Sequence, residues 1–165
     1  MTSREKDLQE IILRLQRIID KHLQIKNVPL VVDENLVLAP GEIHVLQAIG
    51  ENQGCNVTSL GEFLGVTKSA VSQMVTKLIK KDVVRKVAAP DNGKEKLLFL
   101  SEVGHRAFMI HQAFHLRHMT TLLGHLEKFP DNAIFDTCVI LKEIEHTVDD
   151  RIDDIFNRGE ASSRS

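Results

Sequence analysis

A chain of 165 residues is near the size at which one compact domain buries well over half of its unfolded surface without disulfide help. Hydrophobic residues make up 42% and charged residues 27%, and apolar runs last only a few positions, which excludes a membrane span and a disordered chain. The net charge of −2 is unevenly spread: residues 67–96 hold eight Lys/Arg against three Asp/Glu, so this stretch is +5 and the rest −7, as expected where one basic face meets a polyanion.

The opening residues, MTSREKDLQE, contain no apolar signal core, and the two cysteines, Cys55 and Cys138, cannot form a disulfide framework. A cytoplasmic, reducing location is therefore the expectation, with no membrane partner. From Ser3 the residues Leu8, Ile11, Ile12, Leu15, Ile18, Ile19 and Leu23 recur at helical spacing and predict an amphipathic helix to about Lys26, with only a weak start signal at Ser3. Asn27, Pro29, Val31 and Val32 break that period. Ala39-Pro40, with Glu42 in the first turn, opens a second helix over about 40–52.

Gly54 to Val57 reads as a turn, Thr58 as the cap of a short helix ending near Leu64, and Gly65-Val66 as a tight turn before the cap at Thr67. The helix from Thr67 to about Lys81 puts Ala70, Val71, Val75, Leu78 and Ile79 on an inner face. Lys68, Ser69, Ser72, Gln73, Thr76 and Lys77 occupy the outer one. Val83–Ala89 and Leu97–Leu100 then read as strands joined across Asp91-Asn92-Gly93, where Asn-Gly suits a tight hairpin, with Lys94 and Lys96 beside the turn. A helix follows from Glu102 to about Glu127, Pro130 interrupts it, and a last helix from about Asp131 to Phe156 carries Ile134, Val139, Ile140, Leu141, Ile144, Val148, Ile152 and Ile155. Residues 158–165 are expected to fray.

Two helices joined by a tight turn make a helix-turn-helix, which carries its second helix into the DNA major groove; a hairpin directly afterwards makes it winged. The outer face supplies the matching chemistry. Gln73 can pair bidentately with adenine, Thr67, Ser69, Ser72 and Thr76 can bond base edges or phosphates, and Lys68, Lys77, Lys94 and Lys96 can neutralise phosphate charge. Double-stranded DNA is the expected partner.

The stretch LGVTKSAVSQMVTKLIKKDVV, and the wing closing on LFLSEVG, resemble the MarR family of winged-helix transcription regulators, whose usual V-x-L-T-x-x-G has Ser101 here in place of Thr. The resemblance covers about residues 5–155. It implies a mainly α fold with a small β-wing, a homodimer built from the first and last helices, and a repressor acting on a pseudo-palindromic operator. Residues 39–101 would form the DNA-binding lobe, and 1–38 with 102–157 the dimerisation helices. At the wing the family's acidic-x-Arg is represented by Asn92-Gly93-Lys94, so Lys94 stands where an Arg would enter the minor groove. Independently of the family, the first and last helices are apolar over more of their circumference than one small core can cover, which also favours a dimer.

Five of the eight histidines lie between His105 and His125. On a helical wheel His111, His115, His118 and His125 share a sector of about 80°, and His111 and His115, one turn apart, can share one Zn²⁺ or another first-row divalent ion. The remaining donors would come from elsewhere, with His44, Glu42 and His22 as candidates. The zinc-responsive branch of the MarR family also joins a His near the start of the second helix to a His-x-x-x-His after the wing. GEIH, ending at His44, and HQAFH, His111 to His115, are similar. That branch has a carboxylate in the first helix, where this chain has none in register and His22 is the substitute. Three other readings compete: an oxidant sensor at Cys55, a small aromatic or lipid-like effector, and a metal-dependent hydrolase. The last lacks an HExxH, a phosphate loop or a nucleophile motif, so an enzyme is not expected.

Overall fold

The computed structural model describes residues 2–90 and 93–162, with side chains through Ile155. The first helix, α1 (Ser3–Lys26), has a stronger start than its sequence suggests. Thr2 accepts from the Glu5 amide while Glu5 reaches back to the Thr2 amide, a complete capping box. No residue of α1 is buried.

The segment expected only to break the helical period forms a hairpin, β1 (Leu30–Asp33) and β2 (Leu36–Leu38), paired antiparallel with Leu30 opposite Leu38. Its two-residue turn is closed by the Asp33 carboxylate accepting from the Asn35 amide at 2.9 Å. Leu36 and Leu38 alternate inward while Val37 faces out, so the strand period was present in residues too few to outweigh Pro29 and Asn27.

Helices α2 (Pro40–Glu51), α3 (Val57–Leu64) and α4 (Lys68–Lys80) follow the expected order. The cap of α3 is Asn56 rather than Thr58: its Oδ1 accepts from the Ser59 amide at 2.9 Å, an arrangement Asn favours at least as well as Thr. Gly65 ends α3 at φ 64°, a left-handed conformation that costs a glycine little, and Thr67 caps α4 by accepting from Ala70. Strands β3 (Val84–Ala88) and β4 (Lys96–Leu100) pair antiparallel from Val84–Leu100 to Ala88–Lys96. The expected turn residues Asp91 and Asn92 lie outside the described residues. A third, very short partner joins this sheet at Cys55, whose carbonyl accepts from Leu98 at 2.8 Å, while the Gly54 amide donates back to Leu98 at 2.8 Å.

Among the described residues the core consists of sixteen buried apolar side chains, all between Leu36 and Ala107. Leu38, Leu46, Ile49, Leu60, Val71, Val75, Leu78, Leu98 and Leu100 are completely or almost completely enclosed, so β2, the three helices and the wing strands share one interior. Ile79, expected on the inner face of α4, is 37% exposed instead, because Val75 and Leu78 already fill that side of the last turn.

Helix α5 (Glu102–Leu126) starts where the wing closes. The Ser101 hydroxyl accepts from the Gly104 amide at 3.0 Å and donates to the Asp82 carbonyl, the Ser101 amide bonds Val83 O, and a Cβ on Gly104 would stand 2.0 Å from that carbonyl. The S-E-V-G sequence is therefore a joint between sheet and helix: the hydroxyl caps, and the glycine lets the backbone in. Helix α6 runs Asp131–Ser162, past the expected end at Phe156, while 163–165 lie outside the described residues. The chain divides into two compact units, 1–115 and 116–165. The second holds the end of α5 and all of α6, and its described side chains are almost all exposed.

Candidate nucleic-acid interface

The order of caps and turns in the first unit displays α4 as an amphipathic rod. Val71, Val75 and Leu78 hold it to the core, and Lys68, Ser69, Gln73, Thr76 and Lys77 are exposed on the far side. Ser72 is half-buried. Two of the hydroxyls already have local partners: Thr67 Oγ1 takes the Ala70 amide, and Thr76 Oγ1 donates to Ser72 O at 2.7 Å. Their contribution to a ligand is thus shared with the helix, leaving Ser69, Gln73 and the two lysines as the outward donors of this face.

The exposed face of α4 is anchored at its C-terminal end by an ion pair that has no local signal in the sequence. Lys81 Nζ donates to Glu42 Oε2 at 2.6 Å and to Val37 O at 2.8 Å, and the same carboxylate oxygen accepts from the Ala39 amide at 2.8 Å. Glu42 is only 6% exposed. Its sequence signal was the Ala39-Pro40-Gly41-Glu42 start of α2, where a Glu at the third helical position reaches back to the cap. With its carboxylate engaged in this way, Glu42 serves α2 and α4 and is not turned toward the histidines.

The wing adds Arg85 and Lys86, exposed on β3, to the expected Lys94 and Lys96. Arg85 stacks 6.0 Å over Phe99, and Lys96 Nζ donates to Gly93 O at 3.3 Å. These exposed basic residues lie on α4 and on the wing, the two elements a winged helix presents to a duplex.

Of the candidate metal ligands, the structure brings three within mutual influence. The Nε2 atoms of His111 and His115 are 3.1 Å apart with their rings nearly perpendicular at 89°. Partial burial, followed by the nearby His115 and His44, pushes His111 below the usual imidazole pKa. His44 is exposed on α2 at the edge of a 260 Å³ recess lined by Gln47, Ala48, Glu51, Phe63 and Leu64. His22 is exposed on α1 with no recorded contact to these rings, and among the described residues no three His, Cys, Asp or Glu side chains are gathered closely enough to hold a metal. Cys55, the candidate oxidant sensor, is half-buried in its bridge to Leu98. Burial pushes its thiol pKa up, outweighing the backbone hydrogen bond that favours the thiolate.

No helix among the described residues is long and apolar enough to cross a membrane. A family model described as the MarR family matches residues 38–96, the segment from the end of β2 to the start of β4. An uncharacterized HTH-type transcriptional regulator, YhjH of Bacillus subtilis, is 31% identical over 93 residues, 56% of this chain and 53% of the relative. The chain thus spans about half the length of the curated relative it matches. Streptococcus pneumoniae FabT in complex with DNA has the same fold, with a TM-score of 0.68 at 18% identity over 87% of this chain and 98% of that one. Lactococcus lactis ZitR, a zinc-responsive MarR family member, gives 0.69 at 18% identity over 86% and 99%. At such identity these two structures speak for the fold. Residues 38–96 thus match the MarR family model, and the chain shares the winged helix-turn-helix fold of these structures.

Proposed function

We propose that this chain is a sequence-specific DNA-binding transcriptional regulator, a cytoplasmic repressor that grips a pseudo-palindromic operator as a homodimer, with a divalent metal as effector. The observation that carries the reading is the exposed face of α4, where Gln73 and Ser69 stand between Lys68 and Lys77 next to a basic wing. Gln73 reads a base edge, Ser69 bonds a base or phosphate, and the lysines of α4 and the wing take phosphates. The relative's name, which is that of a transcriptional regulator, and the DNA held by the structural neighbour FabT support it.

The metal part rests on His111 and His115. Their 3.1 Å separation is close to the roughly 3.3 Å between two nitrogens of one tetrahedral zinc site. A depressed pKa keeps His111 neutral, the form that coordinates. His44, the other imidazole whose charge acts on His111, is the third donor, and the zinc-responsive neighbour ZitR points the same way. A bound metal would supply a cross-link between α2 and α5. The His44 side would then report directly to the helices that carry α4, making the metal a corepressor.

A titration of duplex DNA with zinc, manganese, or chelator present tests both parts. Operator affinity should rise with zinc in the wild type, and His111→Ala and His115→Ala should each remove that rise while leaving metal-free binding intact. Indifference to every metal would move the effector role to a small ligand beside Phe63. Failure to bind any duplex would overturn the DNA reading itself.

A further inference from the structure

The basic wing contains an acidic residue on its second arm. Glu95 lies between Lys94 and Lys96, next to a phosphate-facing surface where a carboxylate would normally weaken binding. The structure gives it a partner. Asn56 Nδ2 donates to Glu95 Oε1 at 2.6 Å, in a partly buried contact across 39 residues of sequence. The same Asn56 caps α3 through its Oδ1, so one amide is bonded at both ends, to the helix-turn-helix on one side and to the wing on the other.

The contact extends an existing seam. At the wing's base the backbone of Gly54 and Cys55 pairs with Leu98. Glu95 is three residues nearer the tip, where the Ala89 amide donates to the Glu95 carbonyl at 3.0 Å and closes the β3–β4 ladder. Among the described contacts, Asn56–Glu95 is the outermost one tying the wing to the helices. Nearer the tip, Lys96 Nζ donates to Gly93 O within the ribbon.

We infer that the Asn56–Glu95 pair is a latch that fixes the wing's angle to α4, and that Glu95 is a positioning residue for DNA binding, an inference that rests on the DNA reading proposed above. A wing and a recognition helix must reach two grooves at once, so a loose wing loses simultaneous engagement even though every phosphate-binding lysine is still present. The latch therefore has an effect opposite in sign to Glu95's charge. Electrostatics alone makes Glu95→Ala a tighter binder of all DNA. The latch makes it a weaker binder of operator with no loss on random duplex.

The experiment compares wild type with E95A, N56D and the double variant N56D/E95Q, measuring operator and random-duplex affinity together with amide hydrogen exchange over residues 88–97. Asp caps a helix as well as Asn, so N56D keeps α3 while replacing the donor with a carboxylate that repels Glu95. The double variant exchanges donor and acceptor, restores a hydrogen bond, and has the wild-type net charge. Operator affinity should fall by about tenfold in E95A, the size of one lost charge-assisted hydrogen bond. N56D should fall at least as far, and N56D/E95Q should recover most of the loss. Wing exchange should quicken in both single variants and slow again in the double. Operator affinity equal to or above wild type in E95A, or a double variant no better than N56D, would overturn the positioning role. Unchanged exchange in every variant overturns the latch. The exchange arm contains no DNA, so a protein that binds no duplex would defeat the functional reading while the latch was still being decided.

Discussion

In the proposed DNA complex Gln73 and Lys94 would do different work, and their variants should separate base reading from charge. Gln73→Ala removes one bidentate contact, about 1–3 kcal/mol of discrimination, so operator binding should weaken while random duplex is little affected. Lys94→Ala should weaken both alike and flatten the salt dependence by about one phosphate. Competition binding at two salt concentrations checks both, and equal losses on operator and random DNA for Gln73→Ala would contradict its role. His111 gives a prediction in pH. Its folded-state pKa lies below the ordinary value, chiefly through burial and then through His115 and His44. Between about pH 6.5 and that lower value the unfolded chain binds a proton the folded one refuses, so metal-free stability should be complete above this window and decline as pH falls through it. Thermal unfolding at pH 7.5 and 5 should show a smaller acid loss for His111→Gln than for the wild type.

At the scale of elements, helices with caps and long stripes were readable and short-range exceptions were not. The limits of α1, α2, α4 and α5 follow from Lys26, Pro40, Thr67 and the spacing of their apolar residues. The β1–β2 hairpin escaped because alternation over Leu36–Leu38 is too brief to outweigh a proline nearby. Glu42 was legible as an acidic first-turn residue but not as the partner of Lys81, since a contact over 39 positions leaves no local signal. The outer face of α4 was legible from its helical period; the contributions of Arg85 and Lys86 were not, because β3 exposes four consecutive residues and breaks the two-residue alternation. The S-E-V-G joint can be tested on its own. Gly104→Ala places a methyl group 2.0 Å from the Val83 carbonyl, in α5 on one side and directly before β3 on the other, where the same carbonyl also takes the Ser101 amide. A stability loss of about 3 kcal/mol follows, measurable by denaturant unfolding with the slope unchanged. A loss below about 1 kcal/mol would mean that the joint can open without disturbing the sheet.

For the whole molecule the decisive fact is how little of α1 the single chain covers. Leu8, Ile12, Leu13, Ile18, Ile19, Leu23 and Ile25 are each about half exposed or more, and no residue of the helix is buried. A continuous apolar stripe of this length is not stable against water as a free surface, and a second copy supplies a matching stripe by symmetry. The second unit presents its own exposed apolar residues, among them Phe135, Val148, Ile152 and Ile155 on α6. In the proposed homodimer, operator binding would need two α4 helices about 34 Å apart, one turn of duplex, so dimerisation would set affinity as well as solubility. Removing residues 1–20 takes away most of the α1 stripe and none of the core between Leu36 and Ala107. The truncated protein should keep a cooperative unfolding transition for the winged-helix lobe, since nothing in that lobe's interior is lost. It should sediment as a monomer or as a weak, concentration-dependent dimer. Its affinity for a single half-site should match that of the wild type, whereas its affinity for the full operator should drop toward that half-site value. Adding five base pairs between half-sites, which rotates one by half a turn, should cost the wild type much and the truncated protein nothing. A truncated protein that sediments as a tight dimer and still senses the spacing would place the interface elsewhere in the chain.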